Sequence, residues 1–212
     1  MEEGAVGPLQ RDEALALFGI VRALRPLTVV EFGFFHGHSA FNFLCALSED
    51  ARLYSYDVDD ESAKRARSEM GFDPRLTFLH KSQTDFSPED IHRLKMDFVF
   101  FDAAHLLRLN TETFSKTLPH LSPSAIVAVH DTGLWNKRYL KEVHHDHIKA
   151  NGSTWVTPDL CAHQPEERDF VDWILNKHPE FGAIHFHSTN TLRHGFSLLQ
   201  RQCRLKDKAI AA

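Results

Sequence analysis

A chain of 212 residues is long enough for one sizeable hydrophobic core and short for two ordinary domains, so a single domain over residues 1–212 is expected. With 42% apolar and 25% charged residues it has the make-up of a soluble globular protein. A formal charge of −5 gives no basic field for nucleic acid, and no run approaches the roughly 18 apolar residues of a membrane helix.

The first residues, MEEGAVGPLQRDEA, are acidic and polar and do not read as a signal peptide. Cys45, Cys161 and Cys203 are widely spaced and form no CxxC pair, which points to reduced thiols and a cytoplasmic setting.

In chain order, Asp12–Leu24 places Ala14, Leu15, Leu17, Phe18, Val21 and Leu24 near helical spacing, and Pro26 closes the helix. Leu27–Phe32 reads as a buried strand, Ser39–Leu47 as a helix and Arg52–Asp57 as a second strand. Asp60–Met70 predicts a helix ended by Gly71, and Arg75–His80 a third strand. Ser87-Pro-Glu-Asp90 has the capping-box pattern with Pro at the first helical position, opening a short helix to about Leu94. Met96–Asp102 is the most apolar run and fits a strand buried on both faces. Thr111–Leu121 predicts a helix, Ala125–His130 a fifth strand, Trp135–Ala150 a helix and Asn151–Pro165 a loop. Glu166–Lys177 reads as the last helix, with strands at Ala183–Ser188 and Gly195–Gln200; the final dozen residues read as a frayed tail. Strands alternating with helices predict a mostly parallel sheet covered on both sides.

The most informative stretch is VVEFGFFHGHSA, Val29 to Ala40. Gly33 and Gly37 fall between a strand and a helix, where backbone without Cβ can approach a ligand and the helix start offers N–H groups to an anion. Their Gly-x-x-x-Gly spacing differs from the GxGxxG that cradles a pyrophosphate, which argues against a nicotinamide oxidoreductase. Glu31 adds a negative charge that would repel a pyrophosphate and attract an ammonium group. Asp57 ends the second strand 24 residues after Gly33, where a carboxylate can accept both ribose hydroxyls.

VVEFGFFHGHSA, YSYDVD, KSQTDF, FVFFDAAH and VAVHDT, each at a strand end, together resemble S-adenosylmethionine-dependent methyltransferases, specifically the catechol O-methyltransferase type and the bacterial natural-product O-methyltransferases. The resemblance covers roughly residues 25–135 and implies a Rossmann-like α/β three-layer sandwich, with a seven-stranded sheet whose last strand is antiparallel. It implies that Glu31 and Ser39 hold the methionine end, that Gly33, Phe35 and His38 line the loop, and that Asp57 takes the ribose. Ser82 and Gln83 would lie beside the adenine, and Asp102 would meet the cofactor amine.

The resemblance also implies transfer of a methyl group to a small-molecule acceptor, most often at a hydroxyl oxygen. His105 stands where catechol methyltransferases carry a catalytic lysine; with an ordinary pKa near 6.5 an imidazole is a competent base at neutral pH. Asp102 and Asp131 end neighbouring strands and are candidates for holding Mg²⁺, with Thr132 where the family has Asn or Asp. His130 is a nitrogen donor better suited to Zn or Fe. Related small enzymes are often dimers, so a homodimer is carried as an expectation. His144, His145 and His147 share one segment and His185 and His187 another; Trp135, Trp155 and Trp173 are candidate pocket walls. Two rival readings stay open at this point: a metal-independent N- or C-methyltransferase, and an S-adenosylmethionine-binding protein without transfer activity.

Overall fold

The structure is a computed structural model that describes residues 9–71, 73–132, 166–187 and 195–202. Helix α1, Arg11–Leu24, leads into strand β1, Thr28–Phe32, through Arg25 in the left-handed conformation just before Pro26. Helix α2 is His38–Ala46, β2 Arg52–Asp57, α3 Asp60–Glu69 and β3 Leu76–His80. Two single 3₁₀ turns follow, Gln83–Asp85 and Pro88–Ile91. Then come β4, Met96–Phe101; α4, Leu107–Thr117; and β5, Leu121–His130. Helix α5, Glu167–Lys177, precedes β6, Phe181–His187, and β7, Gly195–Arg201.

The seven strands lie in the order β3-β2-β1-β4-β5-β7-β6. The pairs from β3 to β5 are parallel, and β7 runs antiparallel to both β5 and β6. This is the expected three-layer α/β sandwich. The strand order reverses between β1 and β4, and in such sheets ligands settle outside the carboxyl ends of the strands at that reversal.

Both faces of the sheet are buried, which explains the near-continuous apolar strands. On one face Val29, Leu53, Phe98 and Phe100 pack with Leu17 and Val21 of α1 and Phe43 of α2. On the other, Val30, Phe32, Tyr54, Tyr56 and Phe101 pack with Phe114 of α4 and with Phe170, Val171 and Ile174 of α5. Alternate residues of one strand thus serve opposite layers.

Three local expectations are corrected. The capping box at Ser87 and Asp90 forms, but it opens a 3₁₀ turn rather than a helix reaching Leu94. Helix α4 starts at Leu107, four residues earlier than its polar pattern suggested. Strand β5 starts at Leu121, pairs there with Met96 and resumes at Ile126 after a register shift that steps over Pro123, which has no N–H for the ladder. The predicted helix 135–150 and loop 151–165, with Trp135, Trp155, His144, His145 and His147, lie outside the described residues. Among the described residues no helix is long and apolar enough to cross a membrane.

Candidate functional site

The site gathers at the carboxyl ends of β1, β2, β4 and β5. Its first half is built on Glu31. In the register of β1 and β2, Glu31 faces Ser55, whose Oγ donates to Glu31 Oε2, and both residues are fully buried. Burial pushes the Glu31 carboxyl up to about 8, against the pull of the Ser39 and Ser55 hydroxyls, and nearby Asp102 and Asp57 push the same way. Glu31 Oε1 is buried with no hydrogen-bond partner among the described residues. An unsatisfied buried carboxylate oxygen is costly, and the group that would satisfy it is a cationic N–H donor.

Above Glu31 the chain turns through Gly33 to Gly37. Gly33 has φ +102°, and a Cβ there would lie 2.3 Å from the Asp102 carbonyl oxygen. Its missing side chain therefore also serves the contact between the β1 and β4 ends. Gly37, with φ +75°, is the N-cap of α2; a Cβ would meet Met70 Cε at 2.6 Å and Phe34 Cζ at 2.7 Å.

Asp57 Oδ2 accepts the N–H groups of Phe34 (3.0 Å) and Phe35 (2.7 Å), and its Oδ1 accepts that of Asp59 (3.0 Å). It fixes the loop from below while Ser62 Oγ donates to the Phe35 carbonyl at 2.9 Å. The result is a shallow cleft lined by Leu9, Gly33, Phe34, Phe35, His36, His38, Ser39 and Asp102. Burial, with His36 and Arg65 nearby, holds the His38 ring below its ordinary value. Five residues expected around the cofactor, Gly33, Phe35, His38, Ser39 and Asp102, thus share one cleft, with Glu31 and Asp57 supporting its floor.

Ser82 and Gln83 are placed differently. Ser82 caps its own 3₁₀ turn by accepting Thr84 N–H at 3.3 Å. Gln83 is buried, accepts Ala104 N–H at 3.2 Å and donates to Asn110 Oδ1 (3.0 Å) and Thr113 Oγ1 (3.1 Å). Asn110 in turn donates to the Ala104 carbonyl at 2.8 Å. Gln83 thus braces the β4–α4 loop that carries His105, and neither residue is among those lining the cleft.

The second half is an acidic centre. Asp102 ends β4; His130 and Asp131 end β5, with Asp131 in the left-handed conformation at φ +57°. His130 Nδ1 lies 2.9 Å from Asp102 Oδ1 and 3.6 Å from Asp131 Oδ1. Its Nε2 lies 3.1 Å from Oε2 of Glu13, a buried acid of α1 that also accepts the N–H groups of Gln10 and Gly195. Burial disfavours a charged ring, but Asp102, Asp131 and Glu13 outweigh it and hold the imidazolium well above its ordinary range. Burial raises the Asp102 carboxyl too, with His130 pulling against it.

His105, half-exposed on the β4–α4 loop, meets Oε1 of buried Glu167 through Nδ1, and Asp131 Oδ2 stands 3.9 Å from the same nitrogen. Burial raises the Glu167 carboxyl, with His105 lowering it. Thr132 points elsewhere: its Oγ1 is 2.6 Å from Ser197 Oγ, and Ser197 joins His185, itself bonded to Arg168. Glu13 and Glu167 were not singled out from the sequence. Each lies in the first turn of its helix, where an acid is common for local reasons alone.

The fold and this arrangement point to a class: residues 30–132 match the family model described as a methyltransferase domain, and the sheet is Rossmann-like. Among relatives, Tapetum-specific methyltransferase 1 of Arabidopsis thaliana is 27% identical over 129 residues, 58% of this chain and 54% of that protein. The chain therefore matches about half the length of its curated relatives. Two solved structures share the fold. The O-methyltransferase of Bacillus cereus, in complex with SAH, has TM-score 0.69 and 18% identity, covering 93% of this chain and 84% of that one. The Streptomyces achromogenes O-methyltransferase TomG, involved in tomaymycin synthesis and in complex with SAM, has TM-score 0.63 and 20% identity, covering 92% and 82%.

Proposed function

We propose that residues 1–212 act as one unit that transfers the methyl group of S-adenosylmethionine to a hydroxyl oxygen of a small-molecule acceptor. The observation that carries this reading is Glu31: a fully buried carboxyl group with an unsatisfied oxygen, on the strand that leads through the Gly33–Gly37 loop to a helix start with no side-chain cap. That pairing suits one end of an amino acid, ammonium on Glu31 and carboxylate at the α2 start. When bound, S-adenosylmethionine supplies a methyl group on a positively charged sulfur, ready for in-line displacement. The protein then has to align the acceptor and remove its proton. Asp57 holds the loop in shape, Asp102 faces the cleft, and His105 stands on the neighbouring loop as the proton acceptor.

Calorimetry with S-adenosylhomocysteine tests the cofactor half. Asp57→Ala removes the acceptor of two loop N–H groups and should weaken binding by roughly 1–3 kcal/mol. Because the Glu31 carboxyl is raised to about 8, most of it is protonated at pH 7 and must ionise to pair with an ammonium. Binding at pH 7 should therefore release a proton, read from the dependence of the heat on buffer ionisation enthalpy. Unchanged affinity in Asp57→Ala, or tight NADH binding in place of S-adenosylhomocysteine, would overturn the assignment.

A divalent ion is a separate question. Asp102, His130 and Asp131 bring one donor atom each within 4.8 Å of one another. The donor set nevertheless fits magnesium poorly. Mg²⁺ asks for oxygen ligands in a near-octahedral shell, whereas both ring nitrogens of His130 are engaged by Asp102 and Glu13 and the Thr132 hydroxyl is bonded to Ser197. His130 already supplies a positive charge between the carboxylates. We propose that turnover needs no added ion: the rate in EDTA should stay within about twofold of the rate with Mg²⁺, well under the ~10²-fold or greater effect of losing a general base. Loss of turnover in EDTA that Mg²⁺ restores would show that His130 yields its place.

A further inference from the structure

We infer that Glu167 is a positioning residue for His105: it fixes the orientation and the tautomer of the imidazole through Nδ1. The inference rests on the reading of His105 as the base and adds a residue to it. Glu167 opens helix α5, and its side chain is almost fully buried beside a half-exposed histidine. Its Oε1 is in hydrogen-bond contact with His105 Nδ1, while the other nearby acid, Asp131, is 3.9 Å away; Glu167 is therefore the orienting partner.

Two further observations say this acid is more than filler. Glu167 Oε2 is buried with no hydrogen-bond partner among the described residues, while its Oε1 meets His105. Burying a carboxylate so sparsely bonded costs free energy, which a purely structural position would avoid with an apolar side chain. The positive end of the α5 dipole offsets part of that cost.

The neighbouring residue repeats the grip. Glu166 Oε2 accepts the N–H of Leu107, so two successive acids of α5 clasp the loop that carries His105. From the opposite side Gln83 and Asn110 hold Ala104. The loop is pinned on both flanks of His105, and the ring itself is turned by Glu167. A base whose second ring nitrogen is held by a buried carboxylate keeps one tautomer and one orientation, the logic of the Ser-His-Asp arrangement applied to another reaction.

An experiment that needs no acceptor tests this. Long-range ¹⁵N–¹H spectra of protein carrying ¹⁵N-labelled histidine, recorded at a pH where the ring is neutral, report which nitrogen bears the proton; His105→Ala assigns the signal. The wild type should show His105 with hydrogen on Nδ1. Glu167→Ala should shift it to a mixture of both tautomers, and Glu167→Gln, which keeps an acceptor oxygen, should restore much of the Nδ1–H form. S-adenosylhomocysteine affinity should stay within about twofold in both variants, because Glu167 is not among the residues lining the cofactor cleft. If Glu167→Ala does not fold, Glu167→Gln and the wild-type tautomer still decide the matter. Hydrogen on Nε2 in the wild type, or a tautomer indifferent to Glu167, overturns the inference. Full turnover in His105→Ala would instead remove the base reading while leaving the tautomer result intact, so the two failures are distinguishable.

Discussion

His105→Ala is expected to slow methyl transfer by roughly 10²–10⁴-fold, the range for losing a general base. The side chain sits on a loop at the carboxyl end of β4, next to Asp102 of the cleft yet not itself among the cleft residues. Cofactor affinity should therefore hardly change, and the loss should fall on kcat. Single-turnover assays with labelled S-adenosylmethionine against a panel of phenols, sugars and peptides would measure it, with and without Mg²⁺. The rate of the wild type should fall when the ring is protonated, because an imidazolium has no lone pair to accept a proton. Full kcat in His105→Ala under all conditions would exclude it as base. If the wild type methylates nothing in single turnover, the protein is a binder and not a transferase.

The second large effect is on stability. His130→Ala should cost about 3–5 kcal/mol, the range for removing one partner of a buried ion pair, because Glu13, Asp102 and Asp131 would face one another without their cation. Urea unfolding at pH 7 measures it. The pH dependence has a definite sign. A histidine held well above its ordinary value in the folded state binds a proton more tightly there than in the unfolded chain. Its contribution is complete below the unfolded pKa and is lost as pH rises through the folded one. The gap between wild type and His130→Ala should thus narrow as the solution becomes alkaline. A loss under about 1 kcal/mol would mean that the carboxylates find other partners or stay protonated at little expense.

The sheet and the residues that line the cleft were readable from the chain because their signals are local. A buried strand, a glycine-bearing loop and a helix start recur within a dozen residues, and Glu31, Asp57 and Asp102 each end a strand. The reason for Gly33 was not readable, since it depends on the carbonyl of Asp102 across the sheet. Gln83 looked the same whether it met a ligand or braced a loop, because a polar residue after a strand serves either purpose. Thr132 occupied the right place in the motif, but its hydroxyl direction is set by Ser197 on β7. Glu13 is hidden because its carboxylate accepts the Gln10 N–H at the start of α1, which accounts for it locally without any tertiary partner. Glu167 is hidden in the same way by its helix dipole.

The two halves of the site are joined by contacts of very different reach along the chain. Glu31 meets Ser55 across 24 residues and Asp57 meets Phe34 across 23. Glu13 meets His130 across 117 residues and Gly195 across 182. Closing such long loops is entropically harder and slower than pairing neighbouring β-α units. The loop over Glu31 is therefore held by contacts of short reach, whereas the acidic centre waits for β7 to dock between β5 and β6. A chain caught midway in folding would order this loop before it gathered the acidic centre. Order in this loop alone is consequently no proof that a preparation has reached its native state.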